Sequence, residues 1–226
     1  MRFRAIKTRA FVIAVVFAAS LARAPAHAEI IDRILAVVGD EIVLLSDLNA
    51  AARFGLIDAP PATSGAASIR PALNAVIDRQ LQLFEVNRYL PPEPSPAAVD
   101  ERVAAIRKRL GGAAFEAALA ETGLSETQLR AAVRDNLRID AYRAQRFGAA
   151  LEPSDEDLLR YYRANEAAFT KDGVVQPFAT VRDEVRERLV RERSGTLIAE
   201  WLETLRRRTE VQILYPLGEP TSAQRF

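Results

Sequence analysis

The chain has 226 residues, with 31 Lys plus Arg against 30 Asp plus Glu, no Cys, and a single His and Met at His27 and Met1. The first 28 residues read as an export signal; they carry five basic groups and no acidic one, so without them 198 residues remain and the formal charge falls from +1 to −4. Such a mature chain would exclude a disulfide framework, a thiol nucleophile, a Cys/His zinc site, a Ser-His-Asp triad and an imidazole base, and its charge gives no nucleic-acid footprint.

Arg2 to Arg9 are basic, Ala10 to Ala22 form an apolar run, and Ala26-His27-Ala28 is a small-x-small site. This is the layout of a secretory signal peptide cleaved after Ala28. Its apolar run is shorter than the roughly 20 residues a membrane-crossing helix needs. The expected location is the bacterial periplasm, with no stable membrane insertion.

Ile30 to Val38 and Glu41 to Leu45 are apolar runs around Gly39-Asp40, the pattern of a β-hairpin. Ser46 is the expected N-cap of a short helix ending near Phe54, with Asp47 in its first turn. Gly55 to Ser68 reads as a loop. Ile69 to Tyr89 is the clearest amphipathic helix, with Leu73, Val76, Ile77, Leu81 and Phe84 on one face and Pro71 in its first turn. The prolines of Leu90 to Pro96 end it. Further helices are expected over Ala97–Leu110, Ala113–Glu121 and, behind a Ser125/Gln128 capping box, from Glu126 to about Phe147. Ser154 should cap a helix that ends near Phe169. Thr170 to Gln176 reads as a brief polar connection. Phe178 to Thr209 is a last long helix, with a kink or break expected at Gly195 and i,i+4 pairs such as Glu184–Arg188. Glu210 to Tyr215 is a final strand, and residues 216–226 a loose tail.

The fold class this implies is mainly α, a multi-helix core with a small antiparallel sheet. The N-terminal hairpin would recruit the C-terminal strand, because a lone hairpin is marginal in water. Residues 29–215 would form a single domain.

No motif for chemistry survives a residue-by-residue reading. Asp155, Glu156 and Asp157 suit a helix start and Arg206 to Arg208 a helix end. Trp201 lies on the apolar stripe. Of Tyr161 and Tyr162, one reads as core and the other as half exposed. Ser46 has no base to activate it. The expectation is no catalytic residue, no cofactor and no metal, with the client-binding residues unassigned.

The ends of the chain nevertheless resemble a known family. Ile31 to Phe54 (IDRILAVVGDEIVLLSDLNAAARF) resembles the opening of SurA-type periplasmic chaperones. Gly39 stands where that family usually has Asn, and Ser46-Asp47 at its helix start. Leu73 to Asn87 (LNAVIDRQLQLFEVN), Ser154 to Phe169 (SDEDLLRYYRANEAAF) and the helix and strand of Phe178 to Leu214 follow in the same order. The resemblance covers most of residues 30–215. Family members that isomerise prolyl bonds carry a parvulin domain after the segment ending at Phe169; here only Thr170 to Gln176 intervene.

The resemblance therefore implies a chaperone core without the isomerase module: an ATP-independent holdase, monomeric or weakly dimeric. Its partners would be unfolded exported polypeptides, such as outer-membrane β-barrel precursors, and not nucleic acid. The alternatives are a prolyl isomerase with an unrecognised site, or a non-catalytic adaptor of an envelope assembly docking through the Pro-rich loop 91–96.

Overall fold

The computed structural model describes residues 32–61 and 66–214, with the backbone alone for 66–68. The proposed export signal and the tail 216–226 lie outside the described residues.

The architecture is mainly helical, with seven helices among the described residues and a small antiparallel sheet. Strands β1 (Ile34–Val38) and β2 (Glu41–Leu44) form the N-terminal hairpin. Gly39 supplies the positive φ of +58° that its two-residue turn requires. The C-terminal strand β5 (Val211–Ile213) lies against β1, giving the order β2-β1-β5. Ala36 pairs with Ile213 and Val38 with Val211, so the two ends of the described chain close one sheet.

Ser46 does not cap the first helix, α1 (Leu45–Arg53), which starts two residues earlier than a Ser46 cap would place it. Leu44 occupies the N-cap position, and the Asp47 carboxylate accepts its backbone N–H at 2.9 Å. Ser46 instead donates its hydroxyl to Asp32 and its N–H to the same carboxylate at 3.2 Å, tying the strand's approach to the helix start.

Helix α2 (Ala66–Tyr89) begins three residues before the expected position, which places Pro71 past the first turn. Leu73, Ile77 and Leu81 are buried as their spacing predicts, while Val76 and Phe84 pack at the margin. Helix α3 (Pro96–Leu110) starts on a Ser95 cap, and α4 (Gly112–Thr122) ends at Gly123 in the left-handed region. Helix α5 (Glu126–Leu151) has the Ser125/Gln128 capping box and runs four residues beyond Phe147.

Helix α6 (Asp155–Ala164) opens on its Ser154/Asp157 box but stops at Ala164; a 3-10 turn, Glu166–Phe169, follows. The polar connection expected next is a second hairpin. Strands β3 (Thr170–Lys171) and β4 (Val174–Val175) pair across Asp172-Gly173, both at positive φ, the signature of a two-residue primed turn. Helix α7 (Phe178–Arg208) runs without interruption through Gly195, so the expected break is absent; at 31 residues it is roughly 45 Å long.

Three apolar clusters hold these elements. The largest joins the inner face of the sheet to α2, α5 and α7 through Leu35, Val38, Leu73, Ile77, Ile139, Trp201 and Leu205. A second joins α3, α4 and the first half of α5, with Phe54 set edge-on to Phe115 at 5.8 Å. The third joins α6, the 3-10 turn and the start of α7 around Phe169.

Candidate functional site

Two surfaces of the described chain are not explained by packing. One is the outer face of the three-stranded sheet. A β-bulge between Ile34 and Ala36 turns both Leu35 and Ala36 inward, where both are fully buried. Beyond the bulge the alternation of a strand puts Ile34 and Val37 outward on β1 and Ile42 and Leu44 outward on β2. Gln212 stands opposite Val37, and Leu214 follows two residues later on the same side.

This outer face is apolar and, among the described residues, uncovered. Ile42 is 55% exposed, Leu214 54% and Ile34 44%. Single exposed apolar residues are ordinary, but several on one sheet face mark an interaction surface.

The sheet is also open at its sides. β2 and β5 each pair on one side only among the described residues. Glu210 and Leu214 use their backbone groups on the β1 side, through Gly39 N–H to Glu210 O and Leu214 N–H to Leu35 O. Antiparallel alternation therefore aims the N–H and C=O of Val211 and Ile213 at the open edge. Ile213, on the inner face of that edge strand, is 50% exposed.

The second surface is a groove of about 500 Å³ between the loop after α1 and helices α2, α5 and α7. Asn136 organises it. Its Nδ2 donates to the Leu56 carbonyl at 2.8 Å, and its Oδ1 accepts from Arg79 Nε at 2.6 Å. Arg79 also donates from Nη2 to the Ala132 carbonyl at 3.1 Å. One turn on, the buried Gln82 donates to the Asp78 carbonyl and accepts from Arg143 Nε at 2.7 Å. Burial pulls the pKa of both guanidiniums below the ordinary arginine value, with nearby Asp135 and Asp140 opposing it. Arg109 lies over Gly55, which at φ +64° has no side chain to obstruct the guanidinium.

The residues singled out in the sequence are structural in their contacts. Asp155 pairs with Arg182, Glu156 with Arg160 at 2.9 Å and Asp157 with Arg193 at 3.1 Å. Arg206 clamps Asp78 at 2.6 Å and Arg208 the buried Glu85 at 3.3 Å, so these two of the basic triplet hold α7 to α2, while Arg207 faces Glu203 of its own helix. Trp201 is buried against Tyr142 and Phe147. Tyr161 and Tyr162 are both half-buried on Phe169, and the Tyr162 hydroxyl donates to the Gln176 carbonyl at 2.7 Å. The expected split between them is absent because the second hairpin folds back over Tyr162. Glu93 of the Pro-rich loop pairs with Arg134 and Arg138, tying that loop to α5.

Sequence reading missed Arg79, Arg109, Arg143, Gln82 and Asn136. No local pattern marks them, since the groove assembles residues tens of positions apart. Among the described residues no group of Asp and Glu could hold a metal ion, and no helix is long and apolar enough to cross a membrane. Comparison with protein-family models and with curated proteins finds no match.

Proposed function

We propose that this protein is an ATP-independent holdase of the bacterial periplasm that binds extended, apolar segments of unfolded exported proteins, outer-membrane β-barrel precursors among them. The observation that carries the reading is the uncovered apolar outer face of the β2-β1-β5 sheet, flanked by open strand edges. An unfolded β-barrel precursor exposes alternating apolar side chains and unpaired backbone groups, and it aggregates through both. A strand laid along β5 would satisfy the backbone of Val211 and Ile213 and set its outward side chains beside Gln212 and Leu214, extending the apolar face that Ile34, Val37 and Ile42 begin on β1 and β2. Binding of this kind needs no reacting group, only preference for the unfolded state.

Two further features support it. The order of SurA-like motifs from Ile31 to Leu214 is that of a chaperone core. The position where isomerase members of that family insert a parvulin domain is closed here by a four-residue β-pairing across Asp172-Gly173. The location rests on the export signal read at residues 1–28.

The test is light scattering of a urea-unfolded porin diluted into buffer. The wild-type protein should suppress aggregation at near-stoichiometric amounts. Ile42→Lys should abolish most of the suppression while shifting its own unfolding midpoint little, about 0.5 kcal/mol or less for an exposed position. No suppression at several-fold excess, or full suppression by Ile42→Lys, contradicts the proposal. Stoichiometric capture of one folded envelope protein without suppression would favour the adaptor instead.

A further inference from the structure

The groove on the other side of α2 carries more positive charge than its own carboxylates neutralise. Arg79, Arg109 and Arg143 line it, and none of the three forms an ion pair among the described residues. Three carboxylates also line it, Asp58, Asp78 and Asp140. Asp78 is already engaged by Arg206 and Asp140 by Arg102, at 2.6 and 3.8 Å. Counting those two partners, five guanidiniums face three lining carboxylates; Asp135, which also acts on Arg79, is itself paired with Arg138 at 3.5 Å.

The cations are also held in place by neutral groups. Arg79 is fixed by the Asn136 amide and the Ala132 carbonyl, and Arg143 by the Gln82 amide. These contacts orient each fork without discharging it. Arg79 Nη1 and both Nη atoms of Arg143 make no hydrogen bond to a described protein group, yet among the described residues the buried side-chain polar atoms without a hydrogen bond are Trp201 Nε1 and Arg138 Nε, the latter facing Glu93 at 3.2 Å as an ion pair. The open donors of Arg79 and Arg143 therefore remain accessible from solvent. A guanidinium oriented from behind and open in front is suited to a carboxylate, which it can grip through two parallel N–H donors.

The shape narrows the ligand. The groove continues into a second hollow of about 290 Å³, the two sharing Gly55, Leu56, Arg109, Asn136 and Asp140. Leu56, Ile57, Ile139 and Leu202 line it together with the guanidiniums. Two adjoining hollows lined by both cations and apolar side chains fit an extended polypeptide better than a compact inorganic anion.

We infer that this groove is a second polypeptide-binding site, in which Arg79, Arg109 and Arg143 receive the Asp and Glu side chains of an extended acidic segment. That the natural ligand is a client chain rests on the holdase reading; that the groove takes carboxylates does not.

The experiment is fluorescence anisotropy of the full chain with a labelled peptide alternating Glu and Val, beside the same peptide with Gln for Glu. The Glu peptide should bind, weaken with added salt, and lose about tenfold in affinity for each guanidinium removed in Arg109→Ala and Arg143→Gln. Circular dichroism of both variants should match the wild type; Arg109 is exposed, so its variant keeps the test valid if Arg143→Gln misfolds. Equal binding of the Gln peptide, unchanged affinity in Arg109→Ala, or displacement by inorganic phosphate as readily as by free Glu peptide overturns the inference. The porin dilution assay separates the two proposals. Glu-peptide binding without suppression of aggregation counts against the holdase alone, and suppression without Glu-peptide binding counts against this groove alone.

Discussion

Asp157 shows how one side chain serves two elements. Its carboxylate receives the Arg193 guanidinium of α7 at 3.1 Å and the Ser154 N–H at 3.2 Å, while its own N–H bonds the Ser154 hydroxyl. Arg193 first, then the backbone bond, hold its pKa below the ordinary carboxylate value of 3.8. A lowered native pKa means the unfolded state takes up the proton first, so stability from this group is present above that value and is lost as the pH falls through the native one. Asp157→Asn should therefore lower the urea midpoint at about pH 7, and the difference should shrink as the pH falls below 3.8 through the lowered native value and the wild-type carboxylate takes up its proton. A constant difference over that range would contradict the assignment. Gly55 makes a different residue-scale case: at φ +64°, with Arg109 packed over its Cα, Gly55→Ala should cost about 1 kcal/mol or more in a urea titration. An unchanged midpoint would show that the loop is free to relax. The Ser154 cap was legible because Ser-x-x-Asp is a local code. Ser46 is not the cap because Leu44 takes that position and Asp32, fourteen residues back, claims the hydroxyl, a contact no local pattern marks.

At the scale of elements, the third cluster depends on one buried ring. Phe169 meets Tyr161, Tyr162 and the Arg188 guanidinium, and so joins α6 to α7. Phe169→Ala should cost about 3–5 kcal/mol. Amide exchange should accelerate in α6 and the second hairpin while the β2-β1-β5 sheet stays protected; a uniform loss over the whole chain would mean the clusters are not separable. That hairpin was legible in principle, since Asp-Gly is a strong turn signal. Strands of two residues are too short to show any periodicity, so the segment read as plain connection. Helix α7 gave the opposite error. Gly195 suggested a break, but the packing of Val185 and Leu189 at one end and Trp201 and Leu205 at the other keeps the helix continuous.

For the whole molecule, the telling feature of the sequence is that Ile34 to Val38 and Ile42 to Leu45 are apolar at nearly every position. A sheet covered on one face alternates apolar with polar; an unbroken run is the pattern of strands apolar on both faces. The inner face packs on α2, and the outer face is left for something else. The mainly helical class, the hairpin and its C-terminal partner strand were all readable from these runs and the helical stripes. The arginine groove was not, because it depends on how α2, α5 and α7 meet. The central claim is that an unfolded client lies on this sheet. Hydrogen–deuterium exchange of the full chain, with and without a urea-unfolded porin, tests it most directly. The account predicts new protection at residues 41–44 and 211–214, where edge amides gain a partner strand. Protection elsewhere with those two segments unchanged would contradict it.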